Sequence, residues 1–72
     1  MVREVRINYD PAEEIDSEKH EAWKNVVDKY HALSIGHERE YMRNTSTLFF
    51  KKDLDLIRLE KELEPIQILS FI

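Results

Sequence analysis

The side chains best suited to specific chemistry here are three histidines, because imidazole ligates metals and titrates near neutrality. His20 and His31 fall about three helical turns apart, roughly 16 Å along a helix axis, too far for one metal ion to bridge. No pair of histidines has the i,i+4 spacing of a helical metal site. His31 and His37 meet only across a turn at Gly36, with Glu38 as a third ligand, and four protein ligands are not reached. The expectation is surface or helix-end histidines, with no metal and no cofactor.

Carboxylates are more plentiful: Glu13, Glu14, Asp16, Glu18 and Glu21 crowd one stretch. General acid–base catalysis needs two carboxyls in a cleft whose surroundings drive their pKa values apart. A run along a solvated helix offers no such cleft. Glu14, Glu18 and Glu21 read instead as a docking face for a protein partner with a basic surface. Ser17, Ser34, Ser46 and Ser70 lack the glycines of a nucleophile elbow, and a single glycine rules out phosphate-cradling loops. The absence of cysteine removes thiolate chemistry. Nothing in these residues points to an enzyme.

One segment interleaves basic and aromatic residues: Arg39, Tyr41, Arg43, Phe49, Lys51 and Lys52, diluted by Glu38 and Glu40. On a sheet, that mixture suits single-stranded nucleic acid, with charge following the backbone and rings stacking on bases. It supplies an alternative function. Fifteen acidic residues against 11 basic ones, a net charge of −4, argue against a duplex-DNA binder, whose affinity comes largely from counterion release.

The elements that would position these residues follow from periodicity. Val5, Ile7 and Tyr9 alternate with Glu4, Arg6 and Asn8, so residues 2–9 predict a half-buried strand. Asp10-Pro11-Ala12-Glu13 is a helix start, and Asp16 or Ser17 is a second one. A helical stripe runs through Ala12, Ile15, Ala22, Trp23, Val26, Val27, Tyr30 and Leu33, with a gap at Glu18 and Lys19. The long N-terminal helix should end near Ser34-Ile35-Gly36, with Gly36 in the left-handed conformation.

Tyr41–Arg43 and Thr47–Phe50 predict a hairpin around Asn44-Thr45-Ser46. The competing reading is a helix from Ser46 to Glu64, giving a helical hairpin, residues 11–35 against 46–64, with flanking strands at 2–8 and 66–72. Asp53–Glu64 predicts a short helix with Leu56, Leu59 and Leu63 on one face and an i,i+4 pair, Arg58 and Glu62. Pro65 stops it, and Ile66–Ile72 predicts a strand with both faces apolar.

These elements give one α+β domain over residues 1–72, in the βαββαβ order of a ferredoxin-like split β-α-β arrangement. In such a fold one sheet face stays open, and Leu69, Phe71 and Ile72 would form a self-association surface, most simply in a homodimer. A chain of this size buries only about 60% of its unfolded surface, and without disulfides a partner chain is the natural staple. No apolar run approaches the ~18 residues of a membrane span, and the first residues lack the apolar stretch of a signal peptide. With no cysteine, the expected location is cytoplasmic. The expected function is that of a non-enzymatic interaction or regulatory module.

Overall fold

The computed structural model describes residues 1–37 and 44–72. They form β1 (Val2–Ile7), α1 (Ser17–Tyr30), β2 (Leu33–His37), β3 (Thr45–Leu54), α2 (Leu56–Glu62) and β4 (Ile68–Phe71). Every pairing in the sheet is antiparallel, and the strands lie in the order β2-β3-β1-β4, so β2 and β4 are its edges.

Register sorts the side chains onto two faces, because residues directly opposite each other share a side. Val5, Leu48 and Ser34 form one row and Ile7, Ser46 and Gly36 the next. This face carries the core: Val5, Ile7 and Leu48 pack with Val26 of α1, Leu59 of α2 and Leu63 just beyond it. The opposite face carries the rows Glu4, Phe49, Leu33 and Arg6, Thr47, Ile35. The result is a small compact α+β unit of four antiparallel strands and two helices. Its Cα radius of gyration is 11.1 Å, close to the ~11 Å expected of a folded chain this long.

The alternation in residues 2–9 acts as it should, and Val5, Ile7 and Tyr9 are all buried. The helix differs from its expected span at both ends. Asp10 closes only one turn: its carboxylate accepts from the Ala12 N–H at 3.0 Å, and its carbonyl accepts from Glu13 and Glu14. The chain then leaves helical geometry at Asp16, the true N-cap, whose Oδ1 accepts from the Glu18 and Lys19 N–H groups, each at 3.1 Å. The gap in the apolar stripe at Glu18 and Lys19 marks this break.

At the other end the left-handed residue is His31 (φ 53, ψ 44), not Gly36. The His31 and Ala32 N–H groups both reach the Val27 carbonyl, closing the helix as a Schellman turn does. Leu33, Ile35 and Gly36 consequently belong to β2.

The hairpin is also shifted. Its second strand contains Thr47–Phe50 as expected, but begins at Thr45 and runs to Leu54; its first strand is β2. Thr45 and Ser46, expected in the turn, are buried β3 residues, and Ser46 Oγ donates to the Tyr9 carbonyl at 2.6 Å. Residues 41–43, expected as the first strand, lie outside the described residues. The competing helix from Ser46 is overturned by β3, and with it the helical hairpin; α2 starts only after the Asp55 cap.

Candidate interaction surfaces

Glu18 and Glu21, three residues apart on α1, line a shallow groove with Ser17, Asn25, Glu62 and Pro65. Glu14 lies outside the helix, half-buried, with its N–H on the Asp10 carbonyl. Two of the three carboxylates expected to act together are thus brought side by side.

Glu62 ties the two helices. Lys29 Nζ donates to its Oε1 at 2.6 Å, and Arg58 approaches the same oxygen at 3.5 Å, the expected i,i+4 pair. Burial pushes the Glu62 carboxyl up, but the Lys29 ammonium, the Tyr30 hydroxyl and Arg58 outweigh it, and its pKa lies below the ordinary carboxylate value. The Lys29 ammonium is raised in turn, chiefly by its hydrogen bond to Glu62.

A second polar cluster links the end of β1 to α1 and β2. The Tyr9 hydroxyl and His20 Nδ1 are hydrogen-bonded at 3.0 Å, and the His20 ring lies 5.4 Å from that of Trp23. Trp23 packs against the core and donates its indole N–H to Ser34 Oγ at 3.3 Å. Burial raises the Tyr9 phenol above its ordinary value, and the charges of Glu14, Asp16 and Asp10 add to this against a hydrogen bond from the Asp16 backbone. His37 bonds to Thr47, and among the described residues no three His, Cys, Asp or Glu side chains are grouped for a metal.

The C-terminal strand differs from a simple alternation. A β-bulge between Arg6 and Ile7 sets Ile68 opposite Ile7 and Phe71 opposite Val5. Both therefore lie on the core side of the sheet, and Leu69, expected to share a face with Phe71, is the extra residue of the bulge. Leu69 is half-buried, whereas Phe71 is 53% and Ile72 77% exposed, at the rim of the sheet.

Leu33 continues the helical stripe in sequence and Ile35 sits at the expected helix end, so local pattern places neither on an exposed strand. On β2 they are 61% and 46% exposed, on the sheet face away from the helices, with half-buried Phe49 opposite Leu33. The signal available was their own period of two, continued by His37.

Of the basic and aromatic residues, Phe49, Lys51 and Lys52 lie on β3, the lysines exposed. Arg3 bonds the Lys51 carbonyl at 2.8 Å and stands 3.6 Å from Asp53, which sets an acidic group beside them. Arg39, Tyr41 and Arg43 lie outside the described residues. No helix among the described residues is long and apolar enough to cross a membrane. The chain matches no family model, and no curated protein or solved structure is significantly similar to it.

Proposed function

We infer that this chain is a small non-catalytic interaction module that self-associates through its sheet. One observation carries the reading: large exposed apolar side chains lie on both edge strands, Leu33 and Ile35 on β2 and Phe71 with Ile72 at the end of β4. Edge strands present unpaired backbone groups, and apolar side chains beside them favour pairing with another chain. The short, cysteine-free sequence supports the same reading, since a second chain replaces the missing staple. A ferredoxin-like, split β-α-β topology belongs to it, supported by the element order and by the strand neighbours β2-β3-β1-β4. So does a cytoplasmic site of action, supported by the lack of cysteine.

The deciding experiment is the solution mass by light scattering across a dilution series at two salt concentrations. A dimer that dissociates on dilution, with little response to salt, is the expected result, because apolar contacts are not screened. A folded monomer at every concentration overturns self-association. Glu18 and Glu21 supply the face for a basic partner; reversing both charges should weaken capture of a lysine-rich peptide without changing the fold.

The alternative, single-stranded nucleic-acid binding through residues 39–52, draws on half-buried Phe49 on the sheet face away from the helices, close in sequence to Lys51 and Lys52. It requires salt-dependent binding of a labelled oligonucleotide that Lys51→Glu with Lys52→Glu removes.

A further inference from the structure

The two edges of the sheet are not equivalent. On β4 the bulge interrupts pairing with β1, and bulges twist an edge away from new partners. Beyond it, Ile72 continues the pairing with β1, its carbonyl accepting from Arg3 and Glu4 and its N–H donating to the Glu4 carbonyl. The exposed Phe71 ring sits on the core side, at the rim.

Among the described residues β2 carries no such bulge. The strand pairs with β3 through five consecutive residues, Leu33 to His37, without a register shift. It holds no Lys, Arg, Asp, Glu or Pro, the residues that usually blunt an edge. Among the described residues no backbone hydrogen bond reaches its outer side. Its side chains on the helix-covered face are the small ones, Ser34 and Gly36, so little on that face hinders the approach of another strand.

We propose that self-association joins β2 of one copy to β2 of a second, antiparallel and centred on Ile35, so that two four-stranded sheets run on as one of eight strands. The proposal rests on the self-association reading above and names the edge that performs it. A second copy fits because the strand is complementary to itself. Read antiparallel about its midpoint, it sets Ile35 opposite Ile35 and Leu33 opposite His37, with no like charges opposed. These side chains share the face away from the helices, where Leu33 and Ile35 are exposed in the single chain. The pairing is two-fold, so it consumes both free β2 edges and closes at a dimer instead of growing into a fibre.

The lack of cysteine makes a clean test, since one introduced thiol reports one position. Opposed residues in an antiparallel pair have Cα atoms about 4.5–5.5 Å apart, within the span a disulfide bridges. Ile35→Cys under mild oxidation should therefore give a covalent dimer in native buffer and not in denaturant, while Phe71→Cys stays uncrosslinked. Leu33→Lys with Ile35→Lys should weaken self-association at least tenfold in the dilution series, and Ile57→Lys, exposed on α2, should leave it unchanged. If the unmodified chain is a monomer throughout, the self-association reading fails and the pairing with it. A dimer that survives the β2 lysines, dissociates with Phe71→Lys and resists crosslinking at residue 35 overturns the β2 assignment alone. Should the double lysine variant fail to fold, the crosslink at residue 35 decides.

Discussion

Gly36 shows how one residue can be required for a reason other than the expected one. Its φ is not positive, so the left-handed freedom of glycine is not in use. Instead a Cβ placed there would fall 2.4 Å from Oδ2 of Asp10, a buried carboxylate already bonded to the Ala12 N–H. Gly36→Ala should cost about 1–3 kcal/mol, the usual range for overpacking, measured by urea unfolding. In an Asp10→Ala background the cost should shrink; an equal cost in both backgrounds would refute the contact.

Titratable residues make a second prediction at this scale. Glu62 has a lowered pKa when folded, so its stabilising contribution is present above its unfolded pKa and is lost as pH falls through the folded value. Tyr9 and Tyr30, raised chiefly by burial, act in the opposite sense. Their contribution is complete below the ordinary value of 10.0 and is lost as pH rises through the folded values. The urea midpoint should therefore decline at both ends of the pH range. Glu62→Gln should flatten the acid limb and Tyr9→Phe the alkaline one.

At the scale of the element, α1 depends on its cap more than on the sequence before it. Asp16 satisfies two of the free N–H groups of the first turn, so Asp16→Ala should destabilise the chain by about 1 kcal/mol. Removal of Pro11 should do less, since Pro11 is not in the helix. β4 is equally integral: it pairs with β1, Ile66 leads into it buried, and Ile68 packs on the core. A chain cut after Pro65 should lose its cooperative unfolding transition altogether, and so reports on folding before it reports on any interface. The test is a urea titration followed by circular dichroism; a retained sharp transition would show β4 to be dispensable.

For the whole molecule, 72 residues at ~0.05–0.15 kcal/mol each give a total stability of about 4–11 kcal/mol. Leu59 is buried between α2 and the sheet, and Leu59→Ala should cost about 2–5 kcal/mol. That is a large fraction of the total, so the variant should be substantially unfolded near 37 °C by calorimetry. Where the chain dimerises, its melting temperature should rise with concentration, because association stabilises only the folded form.

Local sequence patterns determine much of this protein independently of any tertiary contact. The alternation of Val5, Ile7 and Tyr9 selects the buried face of β1, the stripe through Ala22 and Val26 selects that of α1, and Leu59 and Leu63 mark the inner face of the short helix. These succeed because burial imposes a period of 2 or 3.6 on the residues themselves. The hydrogen-bonding partners of Tyr9, Trp23 and Ser46 were beyond such patterns, as they come from different elements. Leu33 fits a helical stripe and a strand equally well, Ile35 falls off that stripe, and the left-handed turn at His31 with pairing to β3 resolves both into β2. The face of Phe71 was likewise decided by the bulge opposite Arg6 and Ile7, because inserting one residue reverses every side chain beyond it. Periodicity says which residues seek burial; the register of strands distant in sequence decides which of them the surface keeps.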